Sequence, residues 1–359
     1  MNLITPRLEI YPQRIEHNAR SIVNLCHDHN IQVAGVTKVI CAHPAVVTAL
    51  VNSGVDMLAD SRLENLKSIR EMGIDLPLML LRIPAQDRIN EVARYADVSL
   101  NSSVETIEFL SKAAKALKTT HKVILMVDLG DLREGVWPDK VESLLEQIKK
   151  IQNIEITGLG CNLACYGGVI PTKEKMQILI DLRDKVANHT GLSLGVISGG
   201  NSANLPLLAA GGMPAGINHL RIGESIQLGR NVLDRSPWHG THQDTYRIVA
   251  QVVEVERKPS VPLGDRGQDA FGGTPEFIDR GWRKRAICNI GRQDVAISNL
   301  EPVDSDIIVL GGSSDHLILD VEDANSEVRV GSEVAFYPGY GALLAAATSP
   351  YVLKTVVEG

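Results

Sequence analysis

The feature that most constrains the fold is an alternation of short apolar strands with amphipathic helices, which continues from Gln13 to Ser225. About eight such units in roughly 220 residues match the size of a TIM barrel, in which parallel strands alternate with helices. The sequence therefore predicts an α/β fold built on a closed (β/α)8 barrel. A doubly wound open sheet is the alternative, and it would place a ligand at one switch point. The predicted strands are 33–36, 55–59, 78–81, 98–100, 122–127, 154–159, 195–197 and 220–222.

The pattern changes at Tyr246, where β-rich runs separated by turn residues replace the strand–helix alternation. Successive short strands without helices between them are typical of an all-β domain. We therefore expect a barrel over residues 1–240 and a C-terminal β domain over 241–359. A short alternating strand near residues 3–11 could join the β domain. The segment 258–280 is rich in Gly, Pro and Asp and is expected to form an ordered loop or a lid.

Polar and charged residues stand at the carboxyl ends of the predicted barrel strands. In a TIM barrel these ends converge on the face that holds the active site, so we expect a site there. The residues are Lys38, Asp60, Ser61, Arg82, Asn101, Asp128, Asn162, Ser198–Ser202 and Arg221.

Lys38 follows the apolar strand Val33–Val36. Burial of an ammonium is costly, and burial or neighbouring cations lower the pKa of a lysine, which makes it a nucleophilic amine for an aldehyde. The alternative is that the side chain of Lys38 extends from the strand end into water. The residues downstream favour the nucleophile.

Three loops at the same face contain groups suited to anions. The loop Asp128–Gly135 carries Arg133, which could meet a carboxylate or phenolate, although a surface salt-bridge loop is the alternative. The segment Ser198–Ser202 leads into a helix and could hold a phosphate, or simply cap that helix. Leu220–Ser225 places Arg221 beside a second glycine turn. Opposite Lys38, such a cradle suggests an aldehyde cofactor with a phosphate tail.

Composition excludes several other classes of protein. A net charge of −7 without a long basic run argues against nucleic-acid binding. No apolar run approaches the roughly 20 residues of a membrane span, and the first residues lack a secretory-leader pattern. The five scattered cysteines indicate a reducing, cytoplasmic location. Cys161 and Cys165 have no clustered partners that would complete a zinc site, so no metal is expected.

The chain resembles the fold-type III pyridoxal-phosphate enzymes of the alanine racemase superfamily, and within them ornithine racemase and the related basic amino-acid racemases. The resemblance covers nearly the whole chain in order, and its motifs are specific as a set. They are Val36–Cys41, Ala59–Leu66, Met126–Gly135, Cys165–Gly167, Ser198–Ser202, Leu220–Ser225, Ser313–Leu317 and Gly339–Leu344.

The resemblance implies a role for each matching residue. Lys38 would be the Schiff-base lysine of pyridoxal 5'-phosphate and a base on one face of the substrate. Arg133 would contact the cofactor phenolate and the substrate carboxylate, and Asn162 takes the family's histidine position beside the pyridine ring. Arg221 would face the pyridine nitrogen. The phosphate would be held by Ser202, the backbone amides of Gly223 and Glu224, and the Tyr340 hydroxyl.

An arginine beside the pyridine nitrogen has a chemical consequence. Because a guanidinium does not deprotonate in proteins, Arg221 disfavours a proton on that nitrogen. The ring is then a weaker electron sink, and negative charge stays near Cα. This favours reprotonation at Cα, and hence racemisation over transamination.

The chain departs from the family at the second base. The family uses a tyrosine from the second domain, but this chain has Arg292 at that position, and an arginine is a poor proton acceptor. Candidates to replace it are Cys41, Tyr166 and His316. Cys41 is the favoured candidate because it lies close to Lys38 in the sequence. Each of the three could instead have a structural role.

The expected substrate is ornithine, with lysine or another amino acid as the alternative. A cationic ω-amine needs a carboxylate, and Asp269, Asp294 and Asp315 are the candidates, although each could instead cap a turn. The resemblance also implies a head-to-tail homodimer. A fold-type III decarboxylase or lyase is a further alternative. A non-enzymatic pyridoxal-phosphate-binding protein of the barrel-only type is disfavoured by residues 246–359.

Overall fold

The computed structural model describes residues 4–358, which divide into two compact units. One unit is Gln13–Gln243. The other joins the N-terminal segment through Pro12 to the chain from Asp244 onward. The first strand, β1 (Arg7–Ile10), belongs to the second unit. Leu3, where the predicted strand near 3–11 begins, lies outside the described residues.

Eight parallel strands close into a barrel in the first unit, because the first of them pairs with the last. The closed barrel confirms the predicted fold, and the doubly wound alternative is wrong. The strands are β2 (Gln32–Val36), β3 (Met57–Asp60), β4 (Leu78–Leu80), β5 (Val98–Asn101), β6 (His121–Met126), β7 (Ile154–Gly160), β8 (Val196–Ser198) and β9 (His219–Ile222).

Helices follow the barrel strands and bury one face each. In the first helix, Ile15, Ala19 and Ile22 recur at helical spacing and are fully buried. The longest begins after Thr172, whose side chain accepts the Lys175 N–H. The helices are α1 (Pro12–His27), α2 (Pro44–Asn52), α3 (Leu63–Glu71), α4 (Ile89–Tyr95), α5 (Val104–Ala116), α6 (Val141–Ile148), α7 (Lys173–Thr190), α8 (Leu205–Ala209) and α9 (Glu224–Leu228).

The barrel interior is filled by side chains from its strands, so it is a packed core and not a pore. Because this core holds the strands in place, the residues just beyond their carboxyl ends are also held in place. The core side chains are Ala34, Val36, Ala59, Met79, Val98, Leu100, Ile124 and Met126.

The second unit is built around antiparallel strands, and β1 pairs antiparallel with the longest of them and parallel with the last. Its main sheet runs in the order β12-β15-β10-β11-β14-β13. It also holds a nine-residue helix that the sequence analysis did not predict. The elements are β10 (Tyr246–Pro259), β11 (Trp282–Cys288), β12 (Leu300–Pro302), β13 (Ile308–Gly312), β14 (Leu317–Asp320), β15 (Glu333–Pro338), α10 (Tyr340–Thr348) and β16 (Leu353–Val356).

The segment between β10 and β11 contains neither helix nor strand, but it is locally ordered. Asp269 Oδ1 accepts the N–H groups of Phe271 and Gly273 at 2.9 and 2.8 Å, which closes a turn. Across residues 4–358, every helix is too short or too polar to cross a membrane.

Candidate active site

Lys38 lies just beyond the carboxyl end of β2 and begins the short 3-10 helix Lys38–Ile40. The residue before it is locked in place, because the buried Thr37 donates from Oγ1 to Asp60 Oδ2 at 2.6 Å. Asp60 ends β3 and also accepts the Arg62 N–H at 2.8 Å. The backbone from which Lys38 projects is therefore fixed by the neighbouring strand.

The environment of Lys38 favours the neutral amine. Burial lowers its pKa, and the cations Arg133 and Arg221 lower it further, while Cys165 and Asp60 oppose them. These groups come from four other barrel loops or strand ends, so the lysine lies among ionisable side chains at this end of the barrel. Lys38 is half-buried, and a lowered pKa is a property that a nucleophilic lysine needs.

The loop after β6 is shaped by Asp128, whose Oδ1 accepts the N–H groups of Gly130 and Leu132 at 2.8 and 3.3 Å. Arg133 is presented from this loop. Its guanidinium pairs with Glu134 and donates from Nη1 to Cys165 Sγ at 2.7 Å.

Asp131 joins this loop to the one that follows β7. Its buried carboxylate accepts the N–H groups of Tyr166 and Val169 at 2.9 and 3.1 Å, and that of Cys165 at 3.3 Å. Burial acts to raise the pKa of Asp131, but the backbone donors outweigh it and hold the pKa below its ordinary value. Two loops from different β/α units thus form one connected structure.

Arg221 is buried in β9, with 4% of its surface exposed. It donates from Nη1 to Ser198 Oγ and from Nη2 to the Cys161 carbonyl at 2.8 Å. Burial lowers its pKa, but a guanidinium remains charged in proteins. Arg221 is therefore a fixed, buried cation at the site.

Asn162 holds an available hydrogen-bond donor. Its Oδ1 accepts from Asn201 Nδ2 at 3.2 Å, which fixes the orientation of the amide. Its Nδ2 is buried and has no hydrogen-bond partner within residues 4–358. A buried donor without a partner costs free energy, so this atom suits a polar ligand.

Ser202 and the start of α9 bring three polar groups together. Ser202 Oγ accepts the N–H groups of Gly223 and Ser225 at 3.3 and 3.4 Å. Gly200 has a φ of +127°, and a Cβ there would lie 2.9 Å from Asn204 Nδ2, so the turn requires glycine. The Glu224 side chain pairs with Arg235, and burial raises its pKa.

Three predicted site residues lie in the second unit. Tyr340 is the first residue of α10. His316 precedes β14, and its Nδ1 lies 3.4 Å from Asp315 Oδ1. Asp315 also accepts from the Ser313 and Ser314 hydroxyls at 3.1 and 3.2 Å.

Arg292 and the two remaining aspartates also lie in this unit. The Arg292 guanidinium covers the Phe271 ring at 4.2 Å from its centroid and lies 3.9 Å from Asp269 Oδ2. Asp294 is buried and accepts from Ser349 Oγ at 2.8 Å. Asp269 and Asp294 therefore already have partners within this unit.

The first unit brings together Lys38, Arg133, Asn162, Ser202 and Arg221, all beyond or near the carboxyl ends of barrel strands. Of the residues considered as second base, Cys41 follows the 3-10 helix with a left-handed backbone, at φ 53°. Tyr166 is 76% exposed.

Sequence reasoning gave no role to Asp131 or Cys165. The motif Cys165–Gly167 was the one sequence signal that pointed to Cys165. The contact between Cys165 and Arg133 cannot be predicted from the spacing of the two residues. Residues 4–358 contain no group of three or more His, Cys, Asp or Glu side chains placed to hold a metal ion.

Comparisons with known proteins find similar sequences over more than half of the chain. The family model "Alanine racemase, N-terminal domain" matches residues 10–230. The chain is 44% identical to ornithine racemase of Acetoanaerobium sticklandii, over 98% of this chain and 99% of that protein. It is 42% identical to lysine racemase of Thermotoga maritima, over 98% of each.

Solved structures share the fold. The alanine racemase of Clostridium difficile 630 superposes with a TM-score of 0.74 at 19% identity, covering 100% of this chain and 97% of that one. The alanine racemase of Streptomyces lavendulae gives the same TM-score of 0.74 at 17% identity, covering 100% of this chain and 98% of that one.

Proposed function

The chain belongs to the alanine racemase family, and on that premise we propose that it interconverts the L and D enantiomers of a basic amino acid, ornithine, with pyridoxal 5'-phosphate as cofactor. The observation that carries the proposal is the setting of Lys38, a partly buried amine at a barrel strand end beside Arg133 and Arg221. An isomerase of this kind needs such an amine and fixed cations around it.

The donor set fits a phosphorylated pyridoxal. Lys38 offers the amine for the aldehyde, and the Ser202 hydroxyl with the nearby backbone amides of Gly223 and Glu224 is the proposed phosphate site. The unpartnered Nδ2 of Asn162 offers a donor to a polar ring. Arg221 completes the proposed set within the barrel unit, and the Tyr340 hydroxyl is proposed as a phosphate ligand on the family resemblance alone. These groups match the cofactor part by part.

Each residue then has a defined task. Pyridoxal phosphate, when bound, supplies an aldehyde for the substrate amine and a conjugated ring that acidifies the Cα–H bond. Lys38 Nζ, whose lowered pKa keeps it available as a base, takes or returns the Cα proton on one face. Arg133 orients the substrate carboxylate.

Arg221 sets the type of reaction. Its guanidinium is held by Ser198 and by the Cys161 carbonyl, so it would remain a fixed cation beside a bound pyridine ring. A fixed cation there disfavours a proton on the pyridine nitrogen. Reprotonation would then occur at Cα and not on the cofactor, and a proton delivered to the opposite face of Cα would give the other enantiomer.

The choice of ornithine rests on two relatives with near-complete coverage, one an ornithine racemase and the other a lysine racemase. Both names specify an amino acid with a cationic side chain. Asp315 is the preferred carboxylate for that cation, because its partners are two serine hydroxyls and His316. Asp269 faces Arg292 and Asp294 is buried, so each is less suited. Lysine is the second candidate substrate.

We also propose a head-to-tail homodimer in the cytoplasm. The loops that carry Arg133 and Cys165 expose Leu132, Tyr166 and Ile170, at 66%, 76% and 58% of their surface. Apolar side chains grouped around a site suit a protein interface. Cys26, Cys161 and Cys288 are buried free thiols, which suits a reducing compartment.

The test is incubation of the purified holoenzyme with L-ornithine in D₂O. We expect deuterium at Cα and appearance of D-ornithine, detected by NMR and chiral chromatography. Norvaline has the same carbon chain without the δ-amine and is the matched control, with the rate expected to fall strongly. Lys38→Ala should abolish both signals. Retained Cα–H with every amino acid, or release of CO₂ as in a decarboxylase, would contradict the racemase proposal.

A further inference from the structure

Arg133 and Cys165 lie on loops that follow β6 and β7, which are neighbouring strands of the barrel. The contact between them is direct, because Arg133 Nη1 donates to Cys165 Sγ at 2.7 Å. The thiol is thereby held at the same end of the barrel as Lys38. It does not belong to the set of groups assigned above to the cofactor.

The position of Cys165 is fixed from its own backbone as well. Asp131 accepts the Cys165 N–H at 3.3 Å and the Tyr166 N–H at 2.9 Å. A Cβ on Gly167 would lie 2.8 Å from the Asp131 carbonyl oxygen, so the loop packs too closely there for another residue. A thiol held from both side chain and backbone is suited to a task that needs exact placement.

Racemisation needs one group that takes the Cα proton and another that gives a proton from the opposite side. Lys38 supplies one. Arg292, at the family's tyrosine position, cannot supply the other because a guanidinium stays protonated near neutral pH and cannot act as a base. A cysteine can act in both directions, because its thiol can give a proton and its thiolate can take one. Cys165 also interacts electrostatically with Lys38.

We propose that Cys165 is the second acid–base residue, with Arg133 as the group that positions its sulfur. This rests on the proposed racemase function. In one direction Lys38 Nζ takes the Cα proton and the Cys165 thiol gives its proton to Cα, which leaves an ammonium and a thiolate. Proton exchange with water restores the starting forms. In the other direction the thiolate takes the proton and the Lys38 ammonium gives one.

The structure favours Cys165 over the residues considered from the sequence. The Tyr166 side chain is 76% exposed, and its backbone N–H, not its hydroxyl, meets Asp131. His316 lies 3.4 Å from Asp315 in the other unit. Cys41 sits in a left-handed turn after Lys38, whereas Cys165 directly contacts Arg133, the residue assigned to the substrate carboxylate.

The test separates proton exchange from racemisation in Cys165→Ala and Cys165→Ser. We expect racemisation of ornithine to fall by about 10³-fold in both, the usual loss for a general acid–base group. One enantiomer should still exchange its Cα–H for deuterium with retained configuration, because Lys38 can take and return the proton alone. A purely structural role would slow exchange from both enantiomers alike. That result, or wild-type racemisation in Cys165→Ala, would overturn the proposal.

A second measurement does not depend on a folded variant or on turnover. Iodoacetamide should alkylate Cys165 in the wild-type holoenzyme, and ornithine at ten times its Kd should slow that reaction about tenfold by mass action, as followed by peptide mass spectrometry. Alkylation that ornithine does not slow would contradict the assignment.

Cys41→Ala is the control for the exchange experiment. If Cys41→Ala, and not Cys165→Ala, loses racemisation while one enantiomer still exchanges its Cα–H, the assignment to Cys165 is overturned.

The failures of the two proposals are distinguishable. A wild-type protein that racemises ornithine, together with a Cys165→Ala variant that does so equally well, removes the role of Cys165 alone. A wild-type protein that racemises no amino acid removes the proposed function and this assignment with it.

Discussion

The Thr37 hydroxyl donates to the buried Asp60 carboxylate at 2.6 Å, and this contact ties the end of β2 to the end of β3 one residue before Lys38. Burial raises the pKa of Asp60, and the hydrogen bonds from Thr37 and the Arg62 and Ser61 amides oppose that effect. The charge of Asp60 thus depends on its donors, and the position of Lys38 depends on Thr37.

Replacement of Thr37 should show how much this contact matters. Thr37→Val removes a donor from a buried carboxylate, so we expect a loss of about 1–3 kcal/mol in the free energy of unfolding, measured by urea denaturation. Thr37→Ser keeps the hydroxyl and is the matched control. Equal stability of the Val variant and the wild type would contradict the role given to the contact.

The low pKa of Asp131 predicts a pH dependence of stability. A carboxylate whose folded pKa is depressed adds stability above its unfolded value of about 3.9, and this is lost as the pH falls through the folded value. Asp131→Asn should therefore lower stability at pH 7 and flatten the acid part of the profile, measured by denaturant unfolding from pH 7 to pH 2. Asp75→Asn, on an exposed carboxylate, is the control. An unchanged profile in Asp131→Asn would count against the loop-joining role.

The lowered pKa of Lys38 predicts a slope of the same sign, in a more alkaline pH range, for the cofactor-free protein. Between its folded value and its unfolded value of about 10.4, the folded state binds fewer protons, so stability rises with pH. Lys38→Met should remove this rise and stabilise the cofactor-free protein at neutral pH. Lys115→Met, an exposed lysine on α5, controls for loss of one charge. A Lys38→Met protein with the wild-type slope would disprove the assigned environment.

Ser202 should contribute to phosphate binding and not to binding of the ring. Ser202→Ala is expected to weaken pyridoxal phosphate binding about tenfold or more, the effect of one hydrogen bond to a charged group. Pyridoxal, which lacks the phosphate, should bind wild type and variant equally. Fluorescence titration of the cofactor-free protein measures both affinities. A parallel loss for the two ligands would indicate a general defect of the site.

Asn162 Nδ2 should bind the cofactor, because it has no partner within the described chain. We expect Asn162→Ala to weaken pyridoxal phosphate binding about fivefold, the effect of about 1 kcal/mol. Asn153→Ala, just before β7 at the other end of that strand, should not change the affinity. Equal affinity in wild type and Asn162→Ala would contradict the prediction that Asn162 Nδ2 binds the cofactor.

The sequence predicted most of the fold because its signals are local. Strand–helix alternation and turn residues gave the closed barrel and the β-rich C-terminal unit. The helix α10 was missed because its run of alanine and leucine is apolar on every side and shows no helical periodicity. The strand β16 was missed because its residues are exposed or half-buried and it forms by pairing with β1, which is far away in the sequence.

The candidate site was predictable only in part. The barrel rule placed Lys38, Arg133 and Arg221 at one end, since the carboxyl ends of parallel strands converge. The roles given to them, and to Cys41, Tyr166 and His316, stay predictions. Cys165 was overlooked because its importance lies in a contact with Arg133 between loops of two β/α units.

The sequence by itself determined the barrel, the β unit and the family, because periodicity, turn residues and the order of the motifs are local features of the linear sequence. Only the tertiary structure decided which side chains share a hydrogen bond. The joining of two loops by Asp131, the open donor of Asn162 and the Arg133–Cys165 contact all depend on distances between segments that are remote in sequence. Those distances are set by the packing of the whole barrel.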